Sequence, residues 1–428
     1  MSNSDIALIY NLFPRHFASI DQWSCILPKV KKMGFNSIFV NPFHTTGFSG
    51  SLYAVKDYYK LNPLFLSPGQ SPEDFTPLKN FIDNCSELGF EIIMDLVINH
   101  TAFDSVLTET NPRWYKRDEK GGLVSPYAVD PADPSNVTVW GDLAIIDNRF
   151  STDREGLWSY WDQLIAFFQE MGIYGYRCDA AYQVPAELWR FLISKAKKRQ
   201  SNTRFFAETL GCQVREVEAL GDVGFDYLFN SSKWWNFDAP WALEQHETFK
   251  AFAPSIAFPE SHDTQRLANE PPATLEVQKC RYAVAALFSK GLMMPMGYEY
   301  GATTKMDVVK GAPGDVDDKR WDLVGWIKKV NSLKKTIPVL GEEGRWRNLS
   351  GFHLPFIFLE KSSQKGNDPV YVCINKNFLA ETPVEQRAVP EQLEKCSDAI
   401  EMLSSDLKRE PILDSFLLDP ADVVLFVK

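Results

Sequence analysis

Four short polar clusters, each at the end of an apolar run, hold the residues whose types and spacing suit catalysis. They are Asp95 to His100, Arg177 to Asp179, Ala207 to Glu208, and Ser261 to Asp263. Together they contain carboxylates, histidines and an arginine. In an α/β barrel, residues that follow different strands meet at one rim although they are distant in sequence. We therefore expect the four clusters to form one site.

Three carboxylates of these clusters, Asp179, Glu208 and Asp263, suit the cleavage of a glycosidic bond. Carboxylates held close together push their pKa values apart, so that one stays protonated while its neighbour is ionised. Glycoside cleavage needs that division of roles. Arg177 lies two residues before Asp179, so strand alternation directs both side chains to one face, where the guanidinium would keep Asp179 ionised. Asp179 then suits a nucleophile, and Glu208 suits a proton donor that later becomes the base.

The elements that must position these residues are parallel strands that alternate with helices. Apolar runs of strand length alternate with patterns of helical period along most of the chain, which predicts βα units. Eight such strands predict a closed barrel of the TIM type. The predicted strands are Ile6 to Phe13, Ser37 to Val40, Glu91 to Val97, Tyr174 to Asp179, Arg204 to Glu208, Asp226 to Phe229, Ile256 to Pro259 and Leu292 to Met296.

The alternation is interrupted in two places. Residues 101–153 are rich in Pro, Gly, Asp and Asn, and a connection of that length predicts a functional excursion or a small domain. From residue 341 onward, short strand-like runs predict a small β domain. We therefore predict a barrel formed by residues 1–100 and 154–340, an inserted domain at 101–153, and a C-terminal all-β domain at 341–428.

Composition narrows the classes of partner. The 428 residues include 56 acidic and 45 basic side chains, for a net charge of -11, without the basic stripe of a nucleic-acid-binding protein. No apolar run approaches the length of a membrane span. Seven scattered cysteines without a C-x-x-C pair argue against a disulfide framework and a zinc site. With an N-terminal stretch that lacks a basic region, this predicts a cytoplasmic protein; the oligomeric state is not predicted.

Taken in order, the four clusters resemble the four signature regions of the α-amylase superfamily of retaining glycosidases and transglycosylases. The matching stretches are Asp95-Leu-Val-Ile-Asn-His100, Gly175-Tyr-Arg-Cys-Asp-Ala-Ala181, Phe206-Ala-Glu208 and Ser261-His-Asp263. The resemblance extends over most of the chain. It includes Tyr10 to Phe17 on the first strand, Tyr53 to Tyr58, and Gly297 to Gly301 after the eighth strand.

The resemblance implies a (β/α)8 TIM barrel with a small inserted domain after strand 3 and a C-terminal all-β sandwich domain. It also implies α-glucosidic substrates, with Asp179 as nucleophile, Glu208 as acid/base and Asp263 as stabiliser of the transition state. Tyr53 should stack on the sugar at the point of cleavage.

Arg177 and two histidines complete the expected substrate site. His100 and His262 should donate hydrogen bonds to sugar hydroxyls, and Arg177 should bind the substrate beside the nucleophile.

Two departures from the family pattern bear on metal binding and on the acceptor. Many α-amylases continue from the nucleophile region to a Lys-His pair that contacts calcium, whereas this chain has Tyr182-Gln183. Asn99 matches a calcium ligand, yet too few oxygen ligands can be named for the six to eight that calcium takes. We predict that no cofactor is required and keep calcium as a weak alternative. The stretch from Trp158 to Leu192 is similar to bacterial maltosyltransferases that use maltose 1-phosphate.

Three functions therefore stay open at this point. The first is an α-amylase-like hydrolase that cleaves α-1,4-glucosidic bonds of malto-oligosaccharides or glucan. The alternative is an α-glucan transglycosylase, such as a maltosyltransferase or a 4-α-glucanotransferase. A non-catalytic carbohydrate-binding or transporter-associated barrel is less favoured, because Asp179, Glu208 and Asp263 are all present.

Overall fold

A closed barrel of eight parallel strands forms the centre of the molecule. The computed structural model describes residues 6–129, 135, 137–316, 318–366 and 368–428. The barrel closes because the first strand pairs with both the second and the eighth. Numbered first to eighth in chain order, the barrel strands are Leu8–Leu12, Ser37–Val40, Glu91–Leu96, Gly175–Cys178, Arg204–Ala207, Tyr227–Phe229, Ser255–Ala257 and Gly291–Pro295. The predicted fold class is confirmed.

Helices connect the strands and cover the barrel. The longest, from Arg154 to Met171, buries the apolar face that its period predicts, and it ends where Gly172 takes a left-handed conformation with φ of 102°. None of the helices in the described part of the chain is long and apolar enough to cross a membrane. The α-helices are α1 (Leu27–Met33), α2 (Thr76–Glu87), α3 (Val106–Thr110), α4 (Arg154–Met171), α5 (Ala186–Arg199), α6 (Val214–Glu218), α7 (Trp241–Phe249), α8 (Leu275–Phe288) and α9 (Val324–Thr336).

The barrel interior is a packed core of apolar side chains from alternating strand positions. Ile9, Phe39, Ile93 and Phe206 are examples, each almost completely buried in one cluster. Such filling makes the barrel a rigid base and leaves the strand ends as the place for a site. All four polar clusters lie at or just beyond the carboxyl ends of barrel strands and so lie at one rim.

Two excursions extend the chain beyond the barrel strands. A hairpin, His44–Thr46 with Val55–Leu61, follows the second strand, and its connecting loop contains Tyr53. After the third strand, two small antiparallel sheets pair His100–Ala102 with Leu143–Ile145 and Tyr127–Val129 with Val137–Val139. Residues 130–134 and 136 of the predicted inserted domain lie outside the described residues. The boundaries of that domain stay a prediction.

The C-terminal part of the chain is all-β, as predicted. The three central strands of a six-stranded antiparallel sheet, Phe356–Ser362, Val370–Asn375 and Val423–Val427, are largely buried, which explains why they read as apolar runs, whereas the outer strands are more polar. Ile357 and Leu359 join the main core with the barrel, whereas Phe356 and Phe358 lie on the opposite face in a separate cluster. In sheet order the strands are Arg345–Asn348, Phe356–Ser362, Val370–Asn375, Val423–Val427, Asp398–Glu401 and Arg409–Glu410; a two-stranded sheet pairs Thr382–Val384 with Phe416–Leu418.

A buried lysine joins α9 to the end of α8. The Lys334 ammonium donates hydrogen bonds to the carbonyl oxygens of Ala286, Ser289 and Leu340 at 2.7, 2.6 and 2.8 Å. The last carbonyls of a helix have no partner within the helix, and a cation there also complements the helix dipole. Burial lowers the pKa of Lys334 well below its usual value. This contact therefore ties α9 to the end of α8 through Ala286 and Ser289, and to the turn after α9 through Leu340.

Replacement of Lys334 should destabilise this junction. Lys334→Met keeps much of the side-chain volume but leaves three carbonyls without their donor, so we expect the free energy of unfolding to fall by about 2 kcal/mol. Urea unfolding followed by tryptophan fluorescence measures it. Lys328→Met is the matched control, because Lys328 lies on the same helix and is exposed. Equal stability of the two variants would contradict the role given to Lys334.

Candidate active site

The guanidinium of Arg177 joins two carboxylates at the end of the fourth strand. Strand register places Arg177 beside Asp95 of the third strand. Nη1 of Arg177 donates to Oδ1 and Oδ2 of Asp95 at 3.0 and 3.2 Å, and to Oδ1 of Asp179 at 2.6 Å. The Arg177 side chain is 6% exposed and that of Asp95 is fully buried. Because the cation is shared, the position of Asp179 depends on that of Asp95.

The Tyr53 hydroxyl joins Asp95 to His262. Its hydroxyl donates to Oδ2 of Asp95 at 2.6 Å and lies 2.7 Å from Nε2 of His262. The hydroxyl also accepts a bond from Nδ2 of Asn41 at 3.0 Å. Since its single hydrogen is given to Asp95, the hydrogen between Tyr53 and His262 belongs to Nε2 of the histidine. The two rings are stacked, with centroids 5.4 Å apart.

Glu208 is held by backbone amides on both of its oxygens. Oε2 accepts from the N–H of Ala180 at 2.9 Å, and Oε1 accepts from the N–H of Leu210 at 2.7 Å. Ala180 follows Asp179 directly, and its left-handed backbone, with φ of 42°, forms the turn that brings its N–H to Glu208. One hydrogen bond therefore ties Glu208, at the end of the fifth strand, to the turn that directly follows the predicted nucleophile.

The electrostatic setting of Glu208 suits proton transfer near neutral pH. Burial raises the pKa of Glu208 to about 7, Arg177 opposes that rise, and Asp179 adds to it. A carboxyl group with a pKa near the working pH can both give and take a proton at a useful rate. Glu208 can therefore serve as an acid in one step and as a base in the next.

Asp263 and His262 lie together on a more open side of the site. Nε2 of His262 is 3.2 Å from Oδ2 of Asp263, whose side chain is 57% exposed. Burial lowers the pKa of His262, which favours the neutral ring. Arg177, Glu208, His262 and Asp263 line one cavity, with Leu210 and Phe229 among its apolar residues. An exposed carboxylate at the edge of that cavity can reach a bound ligand.

His100 lies at the same rim and has unused hydrogen-bonding capacity. The residue is 7% exposed, and within the described part of the chain neither ring nitrogen has a hydrogen-bond partner. Burial lowers the pKa of His100, while the negative charge of Asp179 raises it. A neutral imidazole has one donor and one acceptor, and buried groups of this kind are normally satisfied. His100 is thus free to bond a ligand beside Asp179.

The structure brings the predicted site residues to one rim and adds others. One hydrogen-bonded network, joined through Asp95, contains Tyr53, Arg177, Asp179, His262 and Asp263. Glu208 lines the same cavity as three of them. Asp95 of the first cluster supports Arg177 and Tyr53, and the sequence analysis did not identify Asn41 or Asn11, whose amide donates to Oδ1 of Asn41 at 2.8 Å. Asn41 directly follows a predicted strand, and that position was the signal that could have found it.

Asn99, the weak candidate for a calcium ligand, bonds a glutamine side chain. Nδ2 of Asn99 donates to Oε1 of Gln183 at 2.8 Å, which joins the loop after the third strand to the turn after Asp179. Across the described residues, no group of three or more His, Cys, Asp or Glu side chains could hold a metal ion. Calcium takes about six to eight oxygens. Calcium stays a weak alternative, and no step below depends on it.

The chain is similar in sequence to enzymes that are named for reactions of glucans. A family profile described as "Glycogen debranching enzyme, glucanotransferase domain" matches residues 4–120. The alpha-1,4-glucan:maltose-1-phosphate maltosyltransferase of Burkholderia pseudomallei is 24% identical over 83% of this chain and 31% of the relative. The protein of the same name from Myxococcus xanthus is 22% identical over 86% of this chain and 58% of the relative. The chain thus spans a third to three fifths of these relatives.

The fold is shared with solved α-amylases. The crystal structure of an alpha-amylase from Lactobacillus plantarum superposes with a TM-score of 0.77, at 20% identity, over 100% of this chain and 99% of that one. This likeness shows the fold. The four ordered motifs and the curated relatives make the chain similar to the α-amylase superfamily, with a resemblance to the maltose-1-phosphate maltosyltransferase branch.

Proposed function

We propose that this chain is a retaining enzyme that cleaves α-1,4-glucosidic bonds of malto-oligosaccharides or glucan through a covalent glycosyl-enzyme on Asp179. One observation carries the proposal. The buried carboxyl group of Glu208, with its pKa raised to about 7, bonds the N–H that directly follows Asp179. A retaining glycosidase needs this pair, an acid that becomes a base and a nucleophile fixed beside it. The predicted cytoplasmic location stays a prediction.

The first step forms the glycosyl-enzyme. Protonated Glu208 gives its proton to the glycosidic oxygen while a carboxylate oxygen of Asp179 bonds to the anomeric carbon, and the leaving sugar departs with that proton. Asp263, at the open edge of the cavity, stabilises the positive charge that develops on the sugar ring. His100 binds a sugar hydroxyl, and Tyr53, Arg177 and His262 form the wall against which the sugar lies.

The second step releases the sugar from Asp179. Glu208, now ionised, takes a proton from an incoming hydroxyl, whose oxygen attacks the anomeric carbon and displaces Asp179. The hydroxyl belongs to water in hydrolysis and to another sugar in transfer. The same groups therefore carry out both reactions, and the residues on the acceptor side decide between them.

Loss of the nucleophile should abolish turnover. We expect Asp179→Ala to reduce kcat/KM on maltoheptaose by at least about 10⁴-fold, since a covalent step cannot proceed without its nucleophile. Product release followed by chromatography measures it. Asp222→Ala, at an 81% exposed carboxylate, should keep nearly full activity. Full activity of Asp179→Ala would reject the mechanism, and glucan binding by the wild-type chain without any change in the glucan would favour a non-catalytic barrel.

The acid role of Glu208 predicts a pH profile. Activity should fall as the pH rises through about 7, because the acid form of Glu208 is lost above its pKa. Glu208→Gln should lose most activity on maltoheptaose. On α-maltosyl fluoride, whose leaving group needs no proton, the variant should still release fluoride in the first turnover, and that release should lack the fall near neutral pH. A fall at the same pH in Glu208→Gln would assign it to another group.

Transfer to a sugar acceptor is a second candidate function, and Tyr182 favours it. Nε2 of Gln183 donates to the Tyr182 hydroxyl at 3.4 Å, and Gln183 is itself held by Asn99. Burial raises the pKa of the half-buried Tyr182 phenol, and the nearby charge of Glu208 adds to that rise. An aromatic ring beside the acid/base can hold an incoming sugar in place of water. Two relatives described above carry names of maltosyl-transferring enzymes.

Exchange of Tyr182 should change the ratio of transfer to hydrolysis. With maltoheptaose as donor and acceptor, Tyr182→Lys should give fewer products longer than the substrate, by about tenfold relative to shorter ones, since loss of one stacking contact costs about 1 kcal/mol or more. Tyr182→Phe keeps the ring and is the matched control. An unchanged ratio in Tyr182→Lys would remove Tyr182 from acceptor choice. Phosphate release from maltose 1-phosphate with glucan present would favour the maltosyltransferase form.

A further inference from the structure

A second cavity lies on the flank of the barrel, apart from the catalytic cavity. Its volume is about 920 Å³, within the range of small-molecule sites. Its walls come from the start of α1, the first turns of α8 and α9, the loop after the eighth strand, and Ser405 of the C-terminal part. It shares no lining residue with the cavity that contains Glu208 and Asp263. We refer to it below as the flank cavity.

The charge of the flank cavity is opposite to that of the chain. Four lysines, Lys29, Lys32, Lys279 and Lys329, line it in company with one carboxylate, Asp322, whereas the whole chain has a net charge of -11. Asp322 uses Oδ1 to accept the N–H of Val324 at 3.0 Å. A concave surface with such an excess of cations attracts anions.

Three of these ammonium groups lack a carboxylate partner in the described part of the chain. Lys279 donates to the carbonyl oxygen of Leu403 at 2.7 Å, and Lys329 donates to that of Ser405 at 3.0 Å. An ammonium group has three N–H donors, so each keeps donors for a ligand. Lys32 is exposed and takes part in none of the ion pairs or hydrogen bonds described. The carbonyl bonds fix two lysines without neutralising them.

Lys29 is different, because it is already paired. Its Nζ lies 2.6 Å from Oε1 of the buried Glu299, which also accepts a hydrogen bond from the Tyr10 hydroxyl on the first barrel strand at 2.9 Å. Nζ also lies 4.8 Å from the centre of the Tyr300 ring. Lys29 therefore shapes the wall and links it to the barrel, while Lys32, Lys279 and Lys329 supply the free positive charge.

An aromatic wall accompanies the cations. The half-buried indole of Trp321 lies against the backbone of Gly301, where an added Cβ would come within 2.3 Å of Cε3. The Tyr300 ring already has two ammonium groups near it, those of Lys29 and Lys319 at 4.8 and 4.7 Å. The Trp321 ring has the Arg320 guanidinium 5.6 Å from its centre, but it is less buried than Trp326, the other indole of the lining, and so is the indole that a ligand can reach. A single indole suits the C–H face of a pyranose.

We propose that the flank cavity binds a phosphate monoester of a sugar, with the phosphate at Lys32, Lys279 and Lys329 and the sugar ring against Trp321. Lysine ammonium groups bind phosphate oxygens through charge-assisted hydrogen bonds. Neutral glucan would make no use of the three uncompensated cations. The ligand is thus an anionic sugar that is bound apart from the catalytic carboxylates.

Calorimetric titration with glucose 6-phosphate at low ionic strength tests the proposal, with glucose, inorganic phosphate and AMP as comparison ligands. Wild-type protein should bind glucose 6-phosphate saturably and more tightly than the other three, and added salt should weaken binding. Binding should persist in Asp179→Ala. An absence of saturable heat up to about 10 mM would overturn the proposal. Equal or tighter binding of inorganic phosphate or AMP would overturn the assignment of the sugar ring.

Charge-reversal variants locate the ligand. Lys32→Glu with Lys329→Glu should weaken binding by at least about tenfold, because two phosphate contacts are replaced by repulsion. Lys31→Glu with Lys328→Glu is the matched control: these exposed lysines lie on the same two helices, outside the cavity lining. Equal weakening in both pairs would overturn the site.

Two further measurements keep the test independent of folding and of the catalytic cavity. If the double variant loses its native circular dichroism, Lys32→Glu alone should still weaken binding, since Lys32 is exposed. Trp321→Phe should reduce the preference for glucose 6-phosphate over inorganic phosphate. Loss of glucose 6-phosphate binding in saturating acarbose would place the ligand at the catalytic cavity and overturn the proposal.

Discussion

The buried cation of Arg177 is the interaction on which the site depends. Arginine is charged at all relevant pH values, and a buried charge without partners costs several kcal/mol. Here Asp95 and Asp179 both accept from one guanidinium nitrogen, and Tyr53 satisfies the second oxygen of Asp95. The carboxylate proposed to attack the substrate is therefore held by the same bonds that make the burial of Arg177 tolerable.

The environment of Glu208 follows from that arrangement. Arg177 lowers the pKa of Glu208 and Asp179 raises it, so that burial remains the main cause of a value of about 7. Two neighbouring carboxyl groups thus have different partners, since Asp179 bonds the cation and Glu208 bonds backbone amides. The proposed acid and the proposed nucleophile can therefore both be carboxyl groups, because the groups that contact them differ.

Much of this could be predicted from the sequence, and the failures have physical reasons. The barrel strands were recognisable because buried parallel strands are short apolar runs, and a polar residue at the end of each marks the rim. Asn41 and the two-oxygen role of Asp95 were missed because they depend on which strands are neighbours. Lys334 lies among exposed lysines on α9, and no local pattern distinguishes the one whose ammonium meets three carbonyls.

The turn at Ala180 has a consequence for how such a chain can diversify. The proposed nucleophile and the proposed acid are held together by the turn at Ala180 and by backbone bonds between residues 178–181 and Glu208, without help from the long loops of the rim. Mutations that lengthen, shorten or replace those loops can therefore alter the substrate while the bond-breaking geometry persists. In a protein built this way, mutations in the loops can change which acceptor is bound, while the residues proposed to break the bond keep their positions.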